Sequence, residues 1–297
     1  MQTNQSFVAS KKEPITHVMD TALWVATYRA QEDARPDRLF SDRFAKILIG
    51  DAGPSIAARM PNTRQAAWSV VIRTHVIDQL IHDAIARGAD CVVNLGAGLD
   101  TRPYRMNLPK NFRWIEVDFP KMVNFKNSKL ANENPICDFS RVAVDLSSDD
   151  ERRSFLATLP KEGRSILVLT EGVLPYLEET NVAKLAEELR QTDHVTDWIC
   201  DYFSPKFFAL SQMGKSKSVM KHAPFVFCPV DFFGFFTRHG WTKLQITYLI
   251  PEGIRLGRTI DLPWYKRLMI SFMPRDRQKN LREMMGYVVL KNNPTHR

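Results

Sequence analysis

Residues 90–106, DCVVNLGAGLDTRPYRM, restrict the possible folds more than any other stretch of the chain. Cys91-Val92-Val93-Asn94-Leu95 is an apolar run of the length and composition of a buried strand in a parallel sheet, and it stops abruptly at Gly96-Ala97-Gly98. Glycine lets the backbone turn sharply there and lets a ligand lie directly against it, at the carboxyl end of a central strand. A bare G-x-G also occurs as a plain strand-to-helix turn. The next apolar run separates the two readings. Residues 112–118, FRWIEVD, predict a second strand ending in Asp118, about 20 residues past the glycines, the offset at which an acid meets ribose hydroxyls. The third glycine of a dinucleotide fingerprint is missing, because Thr101 stands where G-x-G-x-x-G requires it. The pair predicts a nucleoside pocket without a pyrophosphate cradle.

The rest of the chain keeps an α/β rhythm. Two helical pieces are expected over 21–50, split near Arg35-Pro36, and an amphipathic helix over 64–87 carries the stripe Val70, Ile77, Leu80, Ile81, Ala84 and Ile85 before Gly88 stops it. Further strands are expected at 141–146, 165–170, 195–203, 244–250 and 287–290, with a helix capped by Thr180-Asn181 that places Val182, Leu185 and Leu189 in phase. No Gly/Ser or Pro-rich linker and no repeat divides the 297 residues. The chain therefore reads as one α/β domain: a helical cap over 1–62, a core over 63–203, a helical insertion over 204–240 lying above the pocket, and closing strands with a basic flap over 241–297.

Three strands finish in or beside an acid: Asp118, Asp145 and Glu171. In an open parallel sheet the carboxyl ends of strands face one crevice, so these acids and the glycine turn are expected to converge on a single ligand. Carboxylates around a nucleoside, with no phosphate loop, suit an adenosyl group that carries positive charge, and S-adenosylmethionine is such a molecule. Asp118 would accept from the ribose hydroxyls, Asp145 from the adenine amine with the backbone at Leu146 on the ring, and Glu171 would lie near the ammonium. Each charge-assisted bond is worth roughly 1.5 to 3 kcal/mol before desolvation. Tyr28 and Arg29 on the cap, and Tyr202 on the strand at 195–203, are the candidates for the rim where a substrate would bind.

The formal charge of +8 comes from scattered basic residues. Without interleaved stacking aromatics this is a solvated surface, so no nucleic acid partner is expected, and an acidic small molecule would profit from the field. Cys91, Cys137, Cys200 and Cys228 are far apart and lack metal or redox spacing, so they read as reduced cysteines with no metal site. The first residues contain no signal-like apolar segment, and no run reaches the roughly 18 apolar residues of a bilayer span. A cytoplasmic protein with no membrane partner is expected.

VVNLGAGLDTRPYRM, IEVDFP, VAVDL and LTEGVLPYL, preceded by IRTHVID and by TALWVATYRAQEDARPDRLFSDRFA, resemble the leucine carboxyl methyltransferase family, especially a bacterial branch that includes a tetracenomycin polyketide carboxyl methyltransferase. The likeness spans about residues 20 to 250. It implies a class I (Rossmann-like) methyltransferase fold, a seven-stranded, mostly parallel sheet whose last strand is antiparallel. It also implies Gly96 and Gly98 at the methionine moiety, Asp118 at the ribose, Asp145-Leu146 at the adenine, Glu171 at the base of the site, and Arg73 on the methionine carboxylate. Arg29 would be a second basic contact. Lys126 or Lys129 would fill the place of a lysine usual after IEVDFP. The reaction implied is methyl transfer to oxygen on a small acid such as a polyketide. A carboxylate acceptor is already ionised and needs no base, whereas a phenol would want one, with His75, His222 or Tyr202 to hand. Methylation of a protein C-terminal carboxylate is the runner-up, and a non-catalytic cofactor-binding protein or a nicotinamide oxidoreductase the reading from another class.

Overall fold

Seven strands form a single sheet in the computed structural model, which describes residues 18–51, 53, 55, 63–159, 165–211 and 225–293. They are β1 (Cys91–Leu95), β2 (Arg113–Asp118), β3 (Asp138–Ala143), β4 (Ile166–Thr170), β5 (Val195–Phe203), β6 (Trp241–Tyr248) and β7 (Met285–Asn292), in the order β3-β2-β1-β4-β5-β7-β6. The first five run parallel, and β7 is antiparallel to both β5 and β6. The chain runs outward from β1 to β3 and then returns to place β4 on the other side of β1, so that the strand order reverses between β1 and β4. The crevice outside their carboxyl ends is the topological switch point, where open α/β sheets bind ligands.

Both faces of β1 and β4 are covered, so every residue of the two strands is buried. Val93 and Leu95, with Ile166 and Val168, pack under α6 (Asp149–Leu156) and α7 (Glu179–Gln191), while Val92, Leu167 and Leu169 pack under α3 (Thr63–Ala86). The α3 face meeting the sheet is Ile72, Val76, Ile77, Leu80, Ile81 and Ala84, close to the stripe expected from the sequence. A third cluster holds the cap: Leu23 and Ala26 of α1 (Val18–Asp33) and Phe44 and Leu48 of α2 (Arg43–Ile49) pack on Leu99, on Tyr104 of α4 (Arg102–Arg105) and on Met122 of α5 (Pro120–Lys129). The cap thus rests on the loop that follows β1. The Phe-rich run after Asp231 is core: Phe232, Phe235 and Phe236 of α9 (Phe232–Arg238) are buried against Phe227, Trp198 and Trp241.

Several boundaries differ from the expectation; β6 begins at Trp241 and β7 runs over Met285–Asn292, both wider than expected at those ends. β3 lies three residues earlier than 141–146, because Asp138 to Ala143 pairs in register with Arg113 to Asp118 and leaves Val144 and Leu146 beyond the strand. β6 ends at Tyr248, since Leu249 and Ile250 open α10 (Leu249–Arg255). Thr180 and Asn181 lie inside the first turn of α7, whose N-cap is Glu178, with no side-chain cap bond.

Candidate active site

The turn after β1 is built on two left-handed glycines. Gly96 has φ +69°, and a Cβ there would come within 2.6 Å of Val173 Cγ2; Gly98 has φ +49°. L residues with side chains pay to enter this region, so the turn depends on glycine. The loop is tied to β2: Gly96 N and Ala97 N donate to Val117 O at 2.8 and 3.1 Å, and Gly98 N donates to Asp118 Oδ2 at 2.6 Å. Asp118 Oδ1 accepts from Phe119 N at 2.8 Å. Each carboxylate oxygen keeps a further lone pair for a ligand. Burial raises the Asp118 pKa, an effect that the two backbone N–H bonds and Lys126 only partly oppose.

Around these groups opens a cavity of about 940 Å³, at the upper end of the roughly 300–1,000 Å³ usual for small-molecule sites. Gly96, Gly98 and Asp118 line it, with Arg73 from α3, Leu146 and Ser147 after β3, and Glu171 to Val173 after β4. Tyr176, Phe203, Phe207, Phe225 and Met285 supply an apolar wall. Phe203 stacks on both Phe207 and Phe225, with ring centroids 4.8 and 5.3 Å apart. Two residues of the expected insertion, Phe207 of α8 (Pro205–Ser211) and Phe225, line the cavity, while residues 212–224, with His222 among them, lie outside the described residues.

The floor is a buried ion network that the sequence did not disclose. Glu171 bridges two arginines, Arg73 Nε at 3.0 Å and Arg102 Nη1 at 2.9 Å. Arg102 also meets Asp100 at 2.7 Å and Asp78 at 2.8 Å, and Arg105 closes the second side of Asp78 at 2.7 Å. Burial works against every charge here, but the opposite charges win: the Asp100 and Asp78 carboxyls are held low and Arg73 and Arg102 high. Behind the Glu171–Gly172 turn, Asp201 accepts from Gly172 N and from Tyr287 Oη, both at 2.8 Å. Burial nevertheless pushes its carboxyl up to about 6. Asn94, a lining residue, donates to Asp100 at 2.8 Å, while its buried Oδ1 has no hydrogen-bond partner.

Of the residues expected at the cofactor, Arg73, Gly96, Gly98, Asp118, Leu146 and Glu171 line this one cavity, and Asp145 does not. Because β3 ends at Ala143, Asp145 sits in the following turn and accepts from Ser147 N and Oγ at 2.9 and 2.6 Å, which lowers its pKa. The loop's backbone lines the wall instead, clamped where Arg152 Nη1 donates to Leu146 O at 2.8 Å. Arg29 reaches the wall but is engaged in structure, donating to Thr101 Oγ1 and Leu99 O and pairing with Asp42 at 3.0 Å. Tyr28 is buried edge-on to the lining residue Trp24 but does not itself line the cavity. Tyr202 stacks on Phe233 among the insertion's aromatics, and its neighbour Phe203 faces the cavity. His75 lies 3.9 Å from Glu252, outside the lining. Lys126 is fully buried against Glu116, which Arg141 also contacts, so it does not reach the cavity. Lys129 lies beside the Phe125 ring. Arg102 stood in the GLDTRPYR motif, and Asp78 as an acid next to the α3 apolar stripe; a charge in such a place was the available signal.

A family model described as leucine carboxyl methyltransferase matches residues 22–190. A Streptomyces coelicolor protein provisionally named as an S-adenosyl-L-methionine-dependent methyltransferase is 36% identical over 182 residues, 57% of this chain and 62% of that protein. A Frankia alni protein with the same provisional name is 31% identical over 257 residues, 82% of this chain and 90% of that protein. The chain thus spans less than two thirds of the first relative and nine tenths of the second. Among solved structures, a Thermobifida fusca protein provisionally described as a methyltransferase aligns over 91% of this chain and 94% of its own, with a TM-score of 0.54 at 13% identity. A DUF574 protein from Streptomyces avermitilis gives 0.51 at 12% identity, over 87% and 97% of the two chains. At such identities the likeness concerns the fold.

Proposed function

The chain belongs to the leucine carboxyl methyltransferase family, and from that premise we propose that it is an S-adenosylmethionine-dependent O-methyltransferase whose acceptor is the carboxylate of a small-molecule acid. The observation that carries the cofactor is the meeting, in one cavity at the β1/β4 switch point, of a glycine turn that a Cβ would obstruct, a ribose-type acid and an arginine. Asp118 would accept from the ribose hydroxyls through its remaining lone pairs. Arg73, turned to the cavity and balanced by Glu171, would take the methionine carboxylate, and Glu171 is near enough to favour the ammonium. The turn at Leu146 and Ser147 would border the adenine.

When bound, the cofactor supplies an electrophilic methyl group on a sulfonium. The protein's part is alignment and exclusion of water. Among the described residues no histidine, lysine or cysteine lines the cavity, and burial raises the pKa of the one tyrosine there, Tyr176. That inventory suits an acceptor already ionised near neutral pH, such as a carboxylate, better than a phenol that needs a base. The aromatic wall of Phe203, Phe207 and Phe225 suits an acid with an apolar or ring-bearing body.

The test is incubation with methyl-labelled donor and a panel of aromatic and aliphatic acids, their phenolic analogues, and a peptide with a free C-terminal carboxylate. Base-labile label on a small acid is expected. Label confined to phenols or to the peptide would overturn the assignment of acceptor.

A further inference from the structure

Helix α11 (Trp264–Ser271) turns its apolar face outward. At 3.6 residues per turn, Trp264, Leu268, Phe272, Tyr265 and Met269 fall on a single arc of about 140°, and all five are exposed, Trp264 by 76% and Phe272 by 81%. No residue of α11 is buried; Ile270, off this arc, is half-buried. A helix docked on a core shows the reverse arrangement. Lys266 and Arg267 flank the apolar arc, and α12 (Arg275–Arg282) follows with Arg275, Arg277, Lys279 and Arg282. Residues 264–282 therefore hold six cations and one carboxylate, Asp276. None of the six makes an ion pair with another described residue.

Both ends of this helical pair are fastened beside the cavity. On one side Arg64, two residues before the lining residue Ala66, meets Asp261 at 2.8 Å, and Trp68 Nε1 donates to Arg258 O at 2.7 Å. On the other, Ser204 N donates to Met284 O at 2.9 Å, and the next residue, Met285, lines the cavity.

We propose that the 264–282 face docks on an anionic lipid surface, with α11 lying in the interface and the basic side chains among the headgroups. Interfacial helices combine an exposed apolar arc, Trp and Tyr at the polar boundary, and flanking Lys and Arg. A second copy of the chain would bring one cationic face against another, which is repulsive. Nucleic acid would satisfy the cations but leaves Leu268 and Met269 without a role. The expectation of no membrane partner rested on the missing bilayer span, and among the described residues no helix is long and apolar enough to cross a membrane. A peripheral helix needs no such span. The docking is independent of which acid is methylated.

Co-sedimentation of the full chain with phosphatidylcholine vesicles, with and without phosphatidylglycerol, tests it, with the S-adenosylhomocysteine-induced rise in melting temperature as a check of fold. The chain should sediment with the anionic vesicles and much less with the neutral ones. Trp264→Ser/Leu268→Ser/Phe272→Ser should weaken partitioning roughly tenfold or more, and Lys266→Glu/Arg267→Glu should weaken it most at low salt. Neither should alter the melting response. No sedimentation with anionic vesicles, or sedimentation that neither variant changes, would overturn the proposal. So would a solution dimer dissociated by the serine variant, or duplex DNA binding lost in the same variants without any vesicle binding.

Discussion

Replacing Asp118 by alanine tests the ribose contact where the structure is most explicit. The side chain is buried, with only 8% of the residue exposed, and its oxygens hold Gly98 N at 2.6 Å and Phe119 N at 2.8 Å while bordering the cavity. Alanine removes an ionised acceptor worth about 1.5 to 3 kcal/mol to a bound hydroxyl, which is one to two decades in Kd. It also releases Gly98 N–H, so the loop that shapes the site loses an anchor and the loss should fall toward the larger figure. Isothermal titration with S-adenosylhomocysteine reads the effect. Because burial raises the Asp118 pKa, the wild-type affinity should fall as the pH drops through that raised value, and the variant should lack this component. An alanine variant with a native melting profile and affinity within about twofold of wild type would refute the ribose assignment.

Arg73→Met should weaken S-adenosylhomocysteine by about 1.5 to 3 kcal/mol yet leave 5′-methylthioadenosine, which lacks the amino acid carboxylate, unchanged; equal losses for both ligands would remove Arg73 from that carboxylate. Gly96→Ala should cost about 1–2 kcal/mol for its left-handed backbone plus about 1–3 kcal/mol for the 2.6 Å overlap with Val173, and adding Val173→Ala should restore only the second part in urea melts. The Asp201 carboxyl, near 6 in the native state, binds its proton more tightly there than in the unfolded chain. Its contribution to stability is therefore present at low pH and lost as pH rises through about 6, by on the order of 3 kcal/mol. Asp201→Asn should remove that loss, so its stability relative to wild type should improve between pH 4.5 and pH 8; a difference that stays constant across that range would contradict the burial argument.

Much of the site could be read in the chain because local chemistry decides it. An apolar run ending in two glycines has few uses other than a buried strand and a tight turn, and Asp118 follows from counting along the next strand. Asp145 shows where counting fails. β3 is an edge strand with an incomplete apolar pattern, so Val142, Val144 and Leu146 suggested a strand displaced by three residues, and the acid moved from the wall into a turn. Arg102 and Asp78 carried only the faint signal of a charge in an apolar setting, because the pairings that define their roles, Arg102 with Asp78 across 24 residues and with Glu171 across 69, come from the assembled fold. Lys126 looked available after IEVDFP, but its helix turns it inward onto Glu116. The 264–282 segment was legible only as part of a basic flap, because the direction of its apolar arc depends on how its two ends are tied to the body.

The most direct test of the central claim is calorimetric titration of the purified chain with S-adenosylhomocysteine and, separately, with NAD. A cavity with one ribose acid and no pyrophosphate loop predicts micromolar binding of the first and none of the second. Binding of NAD alone, or of neither ligand by a folded protein, would contradict it.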